Sequence, residues 1–268
     1  MKKSLFLFSI ISLSAGVFSS CDDEDGNGNV HTKRLVYSSY YDEASYPDSG
    51  LVLVESHYEY DSNGRLIKET IDYGFRHSYV NYSYNGFFFS ISEKTHVTSG
   101  TTNVDGYLIN MSESTKDEIM SYYINYDRLG HFIESTCTDS TTYVIYICKE
   151  NFIWENGDII NYLKNQTKKY EDGSYDEDSI EYSIKYTNEH VQVPLENKAD
   201  IKFFSLYEKH LGSITACGKL YGNGTKHLPV QIISNKDNET INIDWKLNDD
   251  GYPVECKWND RIINFTWE

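Results

Sequence analysis

The chain has 268 residues, 24 Lys and Arg against 41 Asp and Glu, and a formal net charge of −17. Such acidity repels nucleic-acid phosphates and anionic headgroups, which argues against a nucleic-acid partner. With 24 Tyr, 12 Phe and 4 Trp but only Ala15, Ala44, Ala199 and Ala216, the composition suits pleated, half-buried strands rather than helices.

Lys2 and Lys3 precede an apolar run from Leu5 to Val17, followed by Ser19, Ser20 and Cys21. A charged start, a short apolar core and a small-residue cleavage site make a secretory signal over 1–20, too short for a permanent spanning helix. Ending on a cysteine, it resembles a bacterial lipoprotein signal, with Phe18 where Leu is usual. The resemblance implies acylation of Cys21 and attachment to a membrane through that lipid. Asp22-Asp23-Glu24-Asp25 resembles the surface-export signal of Bacteroidota lipoproteins, implying an outer-membrane anchor with the domain facing the cell exterior. Residues 21–33 read as the acylated Cys and a flexible acidic tether. Residues 34–268 then form a single antiparallel β domain, anchored and not spanning.

Beyond the tether, apolar residues alternate with polar ones. Val80, Tyr82 and Tyr84 alternate with Asn81 and Ser83, and Tyr182, Ile184 and Tyr186 with Ser183 and Lys185. Ile241, Ile243, Trp245 and Leu247 repeat the pattern, as do Ile263, Phe265 and Trp267. Period two with one apolar face predicts antiparallel strands wet on one side.

A degenerate repeat organises these strands: aromatic-x-aromatic, a polar turn with Gly, then an apolar return. Tyr58 to Leu66, Tyr82 to Phe87, Ile124 to Phe132, Phe152 to Ile159 and Trp245 to Tyr252 are copies, with a weaker one at Asp105 to Leu108. Gly64, Gly86, Gly106, Gly130 and Gly157 fall 22, 20, 24 and 27 residues apart, about one hairpin each. The prediction is a mainly β, up-and-down meander that curls into a partly closed, barrel-like sheet. Ile201, Phe203, Phe204, Leu206, Tyr207 and Leu211 break the alternation and predict one short helix near 199–211, with Gly212 as its stop.

The Tyr60-Asp61 and Gly64-Arg65-Leu66 pieces resemble the Tyr-Asp repeats of secreted bacterial shell proteins. Gly222-Asn223-Gly224-Thr225-Lys226-His227-Leu228-Pro229, a strand, then Asp250-Gly251-Tyr252-Pro253 resembles an uncharacterised lipoprotein family of Bacteroidota with a porin-like β fold. Thr225 and His227 stand where that family more often has Ser and Asn. The resemblance implies the fold and carries no catalytic residue.

Motifs for chemistry are sparse. Gly218 to Lys226 lacks the Gly-Lys-Ser/Thr ending of a phosphate loop, and residues 171–181 lack the order of a calcium loop. The His residues show no HxH or HExxH spacing and no GxSxG elbow occurs, so no catalytic residue, cofactor or metal is expected. Beyond Cys21, the four cysteines Cys137, Cys148, Cys217 and Cys256 allow three connectivities, and Cys256 sits on an apolar face that suits a buried thiol. Asp139-Ser140-Thr141 and Asp178-Ser179-Ile180 match the acceptor pattern of Bacteroidota O-glycosylation, which makes Ser140 and Ser179 glycosylation candidates. Most aromatics read as core, with any remainder free for a ligand. The functional expectation is a non-catalytic module for a glycan or envelope partner. Its rivals are an envelope assembly component acting through protein partners and an unrecognised hydrolase.

Overall fold

The computed structural model describes residues 33–42, 52–74, 76–93, 96–114, 118–141, 143–187 and 218–268. Alternation and Gly-containing turns produce sixteen antiparallel strands in chain order. The first eight are β1 (Leu35–Asp42), β2 (Val52–Tyr60), β3 (Leu66–Asp72), β4 (His77–Asn85), β5 (Phe88–Glu93), β6 (His96–Thr102), β7 (Leu108–Ser114) and β8 (Glu118–Tyr126). The others are β9 (Phe132–Thr141), β10 (Val144–Glu155), β11 (Asp158–Tyr170), β12 (Tyr175–Tyr186), β13 (Pro229–Ser234), β14 (Thr240–Leu247), β15 (Pro253–Trp258) and β16 (Arg261–Trp267). Every strand pairs with its sequence neighbours, and β1 pairs with β16. The meander therefore closes completely into a barrel. The helix expected near 199–211 lies outside the described residues; a 3-10 turn at Gly218–Tyr221 precedes β13.

The sequence repeat has a physical basis at one end of the barrel. Asp61 Oδ1 accepts the backbone N–H groups of Asn63 and Arg65, each at 2.9 Å. Asn103, Asp127 and Asn248 do the same for the residues two and four positions on. Side-chain capture of the backbone fixes the turn, and a Gly three residues after the Asp or Asn supplies positive φ (Gly64, Gly106, Gly130, Gly251).

The aromatic residue preceding each turn reaches sideways. Tyr60 Oη donates to the Leu35 carbonyl at 2.6 Å, Tyr126 to Leu108 at 2.8 Å and Tyr186 to Ile159 at 2.9 Å. Trp154 Nε1 donates to Phe132 at 2.8 Å, Trp245 to Pro229 at 2.7 Å and Trp267 to Pro253 at 2.6 Å. In all six cases an even-numbered strand clasps the start of the odd-numbered strand before it. These aromatics thus fill the interior and still satisfy their polar tips.

The inward face is one apolar cluster to which every strand except β6 contributes; β6 brings Gly100. The outward face is mixed: cross-strand polar pairs such as Lys68–Glu59 (2.5 Å), Asn125–Glu134 (2.9 Å), Asn161–Glu181 (2.6 Å) and Lys246–Glu255 (2.6 Å) alternate with exposed apolar side chains such as Tyr79, Phe88, Val97, Ile119, Tyr123 and Ile153. The charged and amide side chains interrupt the apolar ones, whereas a lipid-embedded barrel carries a continuous apolar band.

Desolvation raises the pKa of Asp61 and Asp127, but hydrogen bonds from Arg65 or His131 outweigh it and hold both carboxyls below their ordinary value. A depressed folded pKa contributes stability above the unfolded value, near ~4, that is lost as pH falls through the folded one. Asn fills the same role at residues 103 and 248, so Asp127→Asn is expected to cost under ~1 kcal/mol at pH 7 and to flatten the acid limb. Asp127→Ala, which removes the acceptor, is expected to cost about 1–2 kcal/mol; urea melts from pH 3 to 7 measure both.

Candidate functional site

At the end of the barrel away from the aromatic clasps, the inward face becomes polar. Glu69 is only 2 % exposed and accepts the Tyr82 hydroxyl at 3.2 Å. Ser78 donates to Glu93, Thr98 to Glu113 at 3.1 Å, and Ser135 to Glu150 at 2.6 Å. Glu150 also accepts the Tyr162 hydroxyl at 2.6 Å and lies opposite Lys164 in register. The carboxylates are thus tied to hydroxyls of neighbouring strands, which satisfies these inward polar groups.

Three strands overhang the rim here. β10, β11 and β12 run 12, 13 and 12 residues, against 6 to 10 for the others. Their tips carry Tyr143, Tyr170 and Tyr175, which are 70, 37 and 64 % exposed. Val144 lies opposite Tyr170 and Lys169 opposite Tyr175, so the three tyrosines share one tip spanning roughly 10 Å at the usual strand spacing. Elsewhere most tyrosines line the core, as expected.

The acidic run 171–181 forms this tip. Asp172 accepts from the Ser174 hydroxyl and backbone, which lowers its pKa. Lys236 does the same for Asp178. Lys168 lies opposite Asp176 in register, and Lys236 forms an ion pair with Asp178. The hydrogen bond to Asp176, 2.7 Å long, raises the pKa of the Tyr170 hydroxyl.

Residues 221–228, the Gly-rich motif of the sequence, form a strap across the clasped end. Asn223 N–H donates to Gly130 O and Lys226 N–H to Gly157 O, both at 2.8 Å. His227 N–H donates to Asp158 Oδ1 at 2.8 Å, and its Nδ1 lies 2.7 Å from Oδ2. Gly222 has φ +83°, and a Cβ there would sit 2.5 Å from the Gly130 oxygen. The segment is a staple that ties together the β6–β7, β8–β9 and β10–β11 turns, reaching a residue as far as 116 positions away in sequence. His227 Nε2 is buried and has no hydrogen-bond partner among the described residues, so no hydroxyl or thiol among them completes a triad with this pair.

Burial raises the pKa of the Cys137 thiol and pushes that of Cys148 up to about 11. Cys256, fully buried as expected, is shifted up well above the usual range by the same cause. None is the low-pKa thiolate that nucleophilic catalysis uses. Ser140 is half-buried on β9, and Ser179 is exposed on β12 with its hydroxyl on Asn165 Oδ1 at 2.8 Å. Cys21 and Cys217 lie outside the described residues.

No family model matches the chain, and no curated protein matches it. Solved structures do. A porin-like protein from Bacteroides uniformis superposes with TM-score 0.58 at 14 % identity, covering 88 % of this chain and 98 % of that one. A porin-like protein from Bacteroides vulgatus gives TM-score 0.56 at 13 % identity, covering 88 % and 99 %. With a closed sixteen-strand barrel on each count of topology and superposition, the chain has a porin-like β-barrel fold.

Proposed function

We propose that the chain is a non-catalytic binding module, lipid-anchored through Cys21 at the outer membrane, that presents the overhanging β10–β12 tip to a glycan at the cell exterior. The observation that carries the reading is the exposure of Tyr143, Tyr170 and Tyr175 together on that tip. Tyrosine offers a rigid ring face for a sugar and a hydroxyl for its polar edge at low entropic cost.

One observation favours the rival reading of an envelope component with a protein partner. β12 pairs with β13 only from Tyr182 onward, so residues 175–180 are paired with β11 alone among the described residues. A short edge of this kind accepts an added strand, although Asp176, Glu177 and Asp178 guard it with charge.

A thermal-shift screen of residues 22–268 against host and dietary polysaccharides separates the two. A ligand of the native state raises Tm with concentration, and Tyr143→Ala/Tyr175→Ala is expected to weaken that ligand about 10-fold at unchanged basal Tm. No shift across a broad panel, with crosslinking to one envelope protein on intact cells, would move the assignment to the rival.

A further inference from the structure

Three cysteines lie among the described residues, and the barrel sorts them. Cys256 on β15 lies opposite Trp245 and Ile263, deep in the apolar cluster. Cys137 on β9 and Cys148 on β10 are instead direct register partners. Cross-strand partners project to the same face, with Cα atoms about 4.5 or 5.5 Å apart depending on the hydrogen-bonding type of the pair. Both values fall within the roughly 4.4–6.8 Å that a disulfide spans. The ladder around them is regular: Ser140 faces Ile145, Asp139 faces Tyr146 and Ser135 faces Glu150, with no register shift between β9 and β10. Both thiols are unbonded, Cys137 hydrogen-bonded to Tyr122 and Cys148 to Gln166, so joining the sulfurs takes a change of side-chain rotamer and no backbone movement along either strand.

We propose that Cys137 and Cys148 form an intramolecular disulfide, a covalent rung across the β9–β10 hairpin that carries Tyr143. The chemistry is thiol–disulfide exchange with an external disulfide, such as oxidised glutathione or an oxidoreductase of the export compartment. The Cys137 thiolate, on the less buried of the two residues, attacks one sulfur of that disulfide and expels a thiol. The Cys148 thiolate then attacks Cys137 Sγ in the mixed disulfide and expels the second thiol. Two protein thiols are oxidised, one external disulfide is reduced, and two protons move to the released thiols. The high pKa values of both thiols in the folded wall make the exchange slow once the barrel is closed, so the rung is set during folding.

Only the occurrence of this disulfide in the cell rests on export of the chain; the geometry does not. The test uses the full chain, refolded in a glutathione redox buffer, alkylated, digested with trypsin and weighed. Arg128 and Lys149 bracket both cysteines with no Lys or Arg between them, so one peptide, 129–149, carries the whole reading. The expected result is a peptide two hydrogens lighter than the dithiol and resistant to alkylation until reduced. Reduction is expected to lower Tm by about 5 °C, and Cys137→Ser/Cys148→Ser to abolish that difference. Full alkylation of both cysteines in the oxidised buffer, or their capture by Cys217 instead, would overturn the proposal. Protein isolated from its native envelope then reports on export separately: a disulfide that forms in the buffer and is absent from the native protein leaves the pairing intact and sinks the export reading.

Discussion

Asp158→Ala is expected to destabilise the barrel by about 3–5 kcal/mol, the cost of removing one partner from a buried, doubly hydrogen-bonded pair. Asp158 is 8 % exposed and His227 7 %, and the carboxylate serves both the backbone and the ring of His227. Its loss strands a buried backbone N–H and leaves both ring nitrogens without partners, since Nε2 already has none. The damage is not confined to one residue. Thr225 donates to the His227 carbonyl at 2.9 Å and Thr187 N–H to the Leu228 carbonyl at 2.9 Å, so the strap comes away from the β10–β11 hairpin as a unit. Asp158→Asn keeps an oxygen acceptor and is expected to lose about half as much. Urea melts give the energies, and hydrogen exchange at Lys226 and His227 N–H shows whether the strap has detached.

Trp258→Ala is expected to cost a comparable 3–5 kcal/mol by emptying the site of the largest fully buried side chain. Trp258 is 1 % exposed at the end of β15, with Ile243 and Arg261 as its register partners. The closed wall limits how far these neighbours can move in, so the cavity persists and adds to the lost transfer energy. In a domain of this size the effect appears as a Tm fall on the order of 10 °C. Trp154→Phe is the useful contrast. Its ring stacks on His131 at 4.2 Å and would be largely kept, while the Nε1 bond to Phe132 goes, for a loss of about 1 kcal/mol. A similar loss in both variants would mean that the interior relaxes far more than a closed barrel permits.

The meander was legible wherever an apolar face repeated locally. The alternations at 80–84, 182–186, 241–245 and 263–267 all lie on strands with those residues turned inward. Even the weak copy at Asp105 to Leu108 is a turn of the same construction, held by Asn103. Strand number was not legible, because β6, β7 and β9 turn Thr98, Glu113, Ser135 and Asp139 inward and so lose the apolar period. Closure left no local trace either, since Tyr40 finds Ile263 across the whole length of the domain. The strap was unreadable for the same reason: Asp158 and His227 are 69 residues apart, joined by burial and not by pattern. The facing cysteines did leave a signal. Cys137 and Cys148 stand symmetrically about the connection between β9 and β10, and the β9–β10 pairing places them opposite each other.

The Arg34–Glu268 pair of backbone hydrogen bonds, at 2.6 and 2.9 Å, lies at the seam where β1 meets β16. Fifteen of the sixteen strand pairings join neighbours in sequence, and each can form without waiting for the rest of the chain. The sixteenth must wait for the whole domain. Until Trp267 is in place, the growing sheet has two raw edges and an uncovered aromatic face, which is when such a chain is most prone to aggregate. Its final step is a single long loop closure, whose entropic cost grows only slowly with length. The vulnerable period is thus set by the time needed to deliver the last strand, and a chaperone that holds β1 during that interval protects the entire barrel.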